Sequence, residues 1–211
     1  MPHDLTYPDA LPAAFLDELR RLEAEYCWHD DPIRQSGFGG GPQRWRDERE
    51  PILDAVDADG DFLDVGCANG YLLQCLVRWA ADRGCNIVPH GVDYGPRLIE
   101  MAQQRLPDFA ENFHVANAWN WHPPRRYRFV YTVCDCVPEP YLAAYCQHLL
   151  DRAVERNGRL IVGMYGSRSK KNDPIDLGNR LQSLEFIVQG TAQGGHPAVT
   201  TFAWIAGSAE Q

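Results

Sequence analysis

Asp64-Val65-Gly66-Cys67-Ala68-Asn69-Gly70 follows the apolar strand start Phe62-Leu63 and opens a helix-like run from Tyr71 to Ala81. A strand, a glycine turn and a helix start in succession make a binding turn. Gly66 and Gly70 permit backbone conformations and a close approach that a side chain blocks, and the first helical turn presents free N–H groups to a carboxylate or phosphate. A dinucleotide fits this turn poorly. A G-x-G-x-x-G fingerprint starting at Gly66 needs glycine where Ala68 and Tyr71 stand, and Tyr71 would crowd the helix against the sheet.

Outward from the turn, the chain keeps one rhythm. A second apolar strand, Asn86 to Asp93, ends in an acid followed by Tyr94, and the amphipathic run Leu98 to Leu106 follows a Gly95-Pro96 helix start. Phe113 to Trp119 reads as a third strand, Arg128 to Cys134 as a fourth, Glu139 to Glu155 as a helix and Arg159 to Met164 as a fifth strand after the turn Asn157-Gly158. A helix-like stretch from Pro174 to Leu184 precedes strands at Glu185 to Val188 and Val199 to Ala206, with Gly194-Gly195 between them. Strands alternating with helices predict an α/β fold with a parallel sheet covered on both faces, closed by an antiparallel hairpin.

The turn resembles motif I of the class I S-adenosylmethionine (SAM)-dependent methyltransferases, whose acidic-x-Gly-x-(Gly/Ala)-x-Gly pattern is matched by Asp64, Gly66, Ala68 and Gly70. The resemblance spans Asp61 to Gly207. It implies a Rossmann-like, mostly parallel seven-stranded sheet with a C-terminal antiparallel hairpin and an N-terminal helical lid. It also implies SAM as the cofactor, held at Asp64, Gly66, Cys67, Ala68 and Gly70, with Asp93 accepting both ribose O–H groups and Tyr94 beside the adenosine. Asn117-Ala118 stands where the family has an acid followed by Ala near the adenine, and Trp119 follows as a stacking surface.

Composition sets the outer bounds. A chain of 211 residues, 45% hydrophobic, buries one sound core, read here as a helical cap over residues 1–57 and a SAM-binding core over 58–211. The start Met1-Pro2-His3-Asp4 lacks signal-peptide regions, and seven cysteines without a C-x-x-C pair fit a reducing compartment, so a cytoplasmic protein is expected. The formal charge is −9 and the only lysines are Lys170 and Lys171. Such a balance disfavours nucleic acid, for which Arg125, Arg126 and Arg128 form the best local patch, and favours a small-molecule acceptor; no run of about 18 apolar residues is present to span a bilayer, so no membrane partner is expected.

At the front end, Phe15, Leu19, Leu22 and Tyr26 recur at helical spacing, and Trp45, Arg49, Ile52 and Val56 form a second such face. Between them, Gly37 to Gly41 reads as a hinge or lid loop with Phe38 packed over ligand; a plain linker is the alternative. Arg46 and Arg49, one turn apart, either receive a carboxylate or pair with Asp47, Glu48 and Glu50.

Catalytic candidates lie where ligands sit in open α/β sheets, beyond the carboxyl ends of strands. Asp135 accepts a proton or orients the acceptor, with helix capping as its alternative role. Tyr165 faces the same rim as a wall or core residue. His122 is a base candidate or a surface-loop residue, and Trp121 beside it stacks or packs. Cys134 and Cys136 lack a matched activating histidine. His29 with Asp30 and Asp31 lacks a matched further ligand, and Gly166-Ser167 replaces the later acid and amide of the metal-dependent catechol-type enzymes, so metal-independent transfer is expected. The resulting expectation is methyl transfer to N or O of a small, biosynthetic acceptor. A non-catalytic SAM-binding protein and a nicotinamide-dependent oxidoreductase remain as alternatives.

Overall fold

The computed structural model describes residues 10–166 and 175–207. Lys170, Lys171, Ser167, the expected helix start at Pro174 and the segment Met1 to Asp4 lie outside the described residues.

Two helices open the described chain, α1 (Ala13–Tyr26) and α2 (Pro42–Arg49), the latter running into a 3₁₀ segment Glu50–Ala55. The sheet then builds as β1 (Gly60–Val65), α3 (Tyr71–Asp82), β2 (Ile87–Asp93), α4 (Pro96–Arg105), β3 (Phe113–Val115) and β4 (Tyr127–Val133). It closes with α5 (Leu142–Arg152), β5 (Val154–Tyr165), α6 (Leu177–Ser183), β6 (Val188–Gly194) and β7 (Thr200–Ala206). The strand order is β3-β2-β1-β4-β5-β7-β6, parallel from β3 through β5, with β7 antiparallel to both its neighbours. This is the seven-stranded Rossmann-like sheet and closing hairpin expected from the sequence.

Alternation along the strands divides the core. Phe62, Phe129, Ile161 and Phe202 pack with side chains of α2, α3 and α4 on one face, while Leu63, Val65, Val130 and Leu160 pack with α5 and α6 on the other. The carboxyl ends of β1, β2, β4 and β5 therefore share one edge of the sheet, and crossover reversal between β2 and β4 around β1 leaves a crevice there.

Three boundaries differ from the sequence expectation. The helix expected over Glu139 to Glu155 is a 3₁₀ turn, Glu139–Tyr141, followed by α5, and Val154 already belongs to β5. The Arg126 guanidinium ends that helix by donating to the carbonyls of Leu150, Asp151 and Val154. The strand expected at Glu185 to Val188 begins only at Val188, because Glu185 adopts φ +68° in leaving α6. Phe113 to Trp119 yields three strand residues before Asn117 folds its Oδ1 back onto the Trp119 N–H at 3.0 Å.

The basic patch is internally paired. Arg125 contacts Asp61, Arg126 caps α5 and Arg128 lies 3.6 Å from Asp57. Among the described residues no helix is long and apolar enough to cross a membrane.

Candidate functional site

The glycine turn is stitched to the end of β2. Gly66 and Cys67 donate N–H bonds to the Val92 carbonyl at 2.8 and 3.1 Å, and the Ala68 N–H donates to Asp93 Oδ2 at 2.9 Å. Gly66, Ala68 and Gly70 all take positive φ, +93°, +45° and +72°. A Cβ at Gly66 would stand 2.8 Å from Cys136 Sγ, and one at Gly70 would stand 2.9 Å from the Ala102 Cβ and 3.1 Å from its Cα. Gly66 thus keeps the turn open toward β4, whereas Gly70 lets α3 approach α4. Tyr71 does not crowd the sheet: its ring turns sideways onto Trp45 and beneath the Arg105 guanidinium. Its N–H is taken by Asn69 Oδ1 at 3.1 Å.

Above this turn lies a cavity of about 210 Å³. Its floor is Asp64, Gly66, Cys67, Ala68 and Asp93; its far wall is Tyr131, Val133, Asp135, Cys136 and Tyr165; Arg49, Trp45, Leu72 and Ser36 close one side. Leu19, Leu22 and Tyr26 of α1 form the roof. The sequence pattern marked those three residues as an apolar helix face without saying what the face covers.

Asp93 spends one oxygen on Ala68 and the other on the Gly95 N–H at 2.8 Å. Burial pushes its carboxyl up while these backbone N–H bonds pull it down. The remaining lone pairs are the acceptors that a vicinal diol needs. Asp64 is 2% exposed and has no hydrogen-bond partner among the described residues. Burial first, and then the nearby Asp93 charge, push its pKa up to about 8.

Arg49 is 5% exposed, and its guanidinium lies over the rings of Tyr165, Phe38 and Trp45 at 4.2, 4.4 and 4.5 Å. It donates to Glu48 Oε2 at a long 3.4 Å. Arg46 instead donates to both carboxylate oxygens of Glu50, at 2.6 and 3.1 Å, and lies away from the cavity. Of the two arginines, only Arg49 faces the cavity.

Asp135 sits in a 3₁₀ turn, Cys134–Cys136, and neither the 3₁₀ turn Glu139–Tyr141 nor α5 that follows has a side-chain capping bond. Protein packed around it raises its pKa, although its outer surface is open at the cavity mouth. Tyr165 reaches the cavity and shares a short hydroxyl–hydroxyl hydrogen bond with Tyr131. Burial drives the Cys134 and Cys136 thiols up to about 12 and pushes the Cys67 thiol well above its ordinary value, so all three remain protonated and act as packing groups.

Other expected positions lie apart from the cavity. His122 lines a separate surface hollow with Arg126 and Arg152, edge-on to His148, and its Nδ1 contacts the Asn120 carbonyl. Tyr94 lies beneath the Arg20 guanidinium of α1. Trp119 is buried against Tyr141, and Asn117 and Ala118 follow the Ala116 N–H bond to the Asp93 carbonyl. They stand beside the acid at the sheet edge without lining the cavity. Phe38 is not over the turn: it is 7% exposed, wedged against Trp45 between Arg44 and Arg49. The cover is α1, whose Glu23 Oε1 accepts the Arg97 N–H at the start of α4.

No model of a known protein family matches the chain, and no curated protein matches it in sequence. Among solved structures it is similar to a SAM-dependent methyltransferase from Aquifex aeolicus, at 15% identity over 92% of this chain and 98% of that one, with TM-score 0.56. The complex of DhpI with SAH aligns at 16% identity over 93% and 97%, with TM-score 0.58. Haemonchus contortus phosphoethanolamine N-methyltransferase 1, bound to phosphoethanolamine and S-adenosylhomocysteine, aligns at 12% over 93% and 50%, with TM-score 0.67. The chain therefore has the class I SAM-dependent methyltransferase fold.

Proposed function

We propose that the protein is a SAM-dependent methyltransferase acting on N or O of a small molecule. The observation carrying this reading is the company Asp64 keeps. A buried carboxylate without a hydrogen-bond partner among the described residues faces a cavity shared with Asp93, a left-handed glycine turn and the caged Arg49. A buried acid in that condition matches a cationic ligand group.

The residues fit the cofactor. Asp64 would take the methionine ammonium, Arg49 its carboxylate and Asp93 the two ribose hydroxyls, while Gly66 leaves room that a Cβ would fill. When bound, SAM supplies a methyl carbon made electrophilic by a sulfonium. The protein's part is to hold the acceptor in line with that carbon and to exclude water, since positioning supplies much of the barrier reduction. Leu19, Leu22 and Tyr26 exclude water from above; Asp135 and the Tyr131–Tyr165 pair are the groups that hold a proton at the acceptor side.

Calorimetric titration of the full chain with S-adenosylhomocysteine, SAM and NADH tests the reading. Micromolar binding of the first two without the third supports it. Binding of NADH alone overturns it.

A further inference from the structure

This inference rests on the reading above, that SAM occupies the cavity, and concerns the second substrate. Among the described residues, three carboxylates, Asp64, Asp93 and Asp135, face the cavity together with one guanidinium, that of Arg49. SAM brings an ammonium, a sulfonium and a carboxylate. With Arg49, its two cations balance the SAM carboxylate and two of the three aspartates. Among the described residues this leaves one negative charge, which we assign to Asp135, open at the mouth. A site with an unbalanced carboxylate attracts a cation and repels a carboxylate or phosphate.

Across the α1 roof lies a second chamber of about 390 Å³ that shares Leu22 and Tyr26 with the inner cavity. Phe38 and His29 contribute to its wall, and the opposite charges of Glu25 and Arg34 offset each other at its rim. Its volume matches a small molecule. Tyr26 separates the two spaces, and its hydroxyl, held protonated with a pKa pushed up to about 12 by burial and then by the Asp135 charge, is a donor at the junction.

We propose that the acceptor is a small amine, bound as its cation against Asp135 with a largely apolar body in the outer chamber. The ammonium passes one proton to Asp135, which leaves a lone pair on nitrogen. That pair forms the bond to the methyl carbon as the carbon–sulfur bond breaks and its electrons stay on sulfur. The positive charge moves from sulfur to nitrogen, and the proton on Asp135 returns to solvent.

The test uses the full chain saturated with S-adenosylhomocysteine and three probes of one shape: 2-phenylethylamine, 2-phenylethanol and phenylacetate. The amine is expected to bind about tenfold more tightly than either of the others, the scale of one charge-assisted hydrogen bond. In Asp135→Asn that preference should vanish while S-adenosylhomocysteine affinity stays within about twofold, a control that also reports correct folding. Equal or tighter binding of the alcohol or the carboxylate overturns the proposal. So does an amine preference that survives in Asp135→Asn, or a failure of all three probes to bind at millimolar concentration. Failure of S-adenosylhomocysteine itself to bind overturns the cofactor reading instead, and is seen before any probe is added.

Discussion

Asp64 combines a motif position with an electrostatic cost that sequence does not display. Its pKa of about 8 lies far above the ordinary carboxylate value of 3.8, so the folded protein holds a proton there that the unfolded chain has already lost by neutral pH. For a group raised on folding, the stability contribution is complete below the unfolded pKa and is lost as pH rises through the folded one. The ligand-free protein should therefore lose stability between about pH 4 and pH 8 on account of this residue. Asp64→Asn should raise Tm at pH 8.5 by about 5 °C, with the gap narrowing at pH 5, while abolishing tight S-adenosylhomocysteine binding. An unchanged Tm at both pH values would show that the carboxylate finds water or a partner. Burial raises the Asp93 carboxyl as well, but two backbone N–H groups already hold it and offset part of that rise. Asp93→Ala strips the Ala68 and Gly95 N–H groups of their acceptor as well as removing the diol contact. S-adenosylhomocysteine affinity should fall by about tenfold to a hundredfold in calorimetry, and unchanged affinity would place the ribose elsewhere. Both acids were legible in the sequence because each stands at the carboxyl end of an apolar strand, two residues before a glycine. Arg49 was legible only as one of two, because which arginine a neighbouring glutamate captures depends on helix rotation: Glu50 takes Arg46 and leaves Arg49 with the rings.

Among elements, the glycine turn and the segment between α1 and α2 are tied by one side chain. Asn69 is fully buried; its Nδ2 donates to the Pro32 carbonyl at 3.0 Å and to Gln35 Oε1 at 3.1 Å, while its Oδ1 accepts the Tyr71 N–H. Asn69→Ala would leave these groups without partners, at a cost of about 1–3 kcal/mol. It should lower Tm by about 3–8 °C and weaken S-adenosylhomocysteine binding together, because the cover loses its anchor to the turn. A fall in Tm with untouched affinity would mean that the cover and the turn are independent. The sequence marked Asn69 only as a motif spacer, since its partners lie more than thirty residues upstream. The misjudged element ends share that cause. Tyr141, Tyr145, Leu149 and Ala153 continue a helical spacing past Arg152, yet the Tyr127 N–H takes the Ala153 carbonyl at 2.7 Å and draws the chain into the sheet. Likewise β6 carries Gln189, Gly190 and Gly194, weak strand formers whose conformation comes from pairing with β7, with Gly190 lying against the Trp204 ring.

On the scale of the whole molecule, we propose a division between cover and core earlier in the chain than the residue 57 boundary of the sequence reading. α1 has no buried residue; its Leu19, Leu22 and Tyr26 meet the cavity, while Phe15 and Leu16 pack against the edge of the core. α2 is part of the core: Trp45 is 3% exposed, and the Asp47 and Glu48 carbonyls accept the Gly195 N–H at 3.0 Å and the Thr200 Oγ1 hydroxyl at 2.8 Å. Through these bonds the closing hairpin positions α2, and α2 positions Arg49, so the far end of the chain sets the geometry of the carboxylate subsite. We place the functional boundary at the glycine run preceding α2. Two truncations separate the roles. Trp45→Ala removes a large core side chain and should cost about 3–5 kcal/mol in urea unfolding. Leu19→Ala, on the half-buried roof, should cost less than about 1 kcal/mol while raising the S-adenosylhomocysteine Kd several-fold, because it opens the cavity to water. If Leu19→Ala proved as destabilising as Trp45→Ala, α1 would belong to the cooperative core, and access to the site would have to come through the outer chamber between Tyr26 and Phe38.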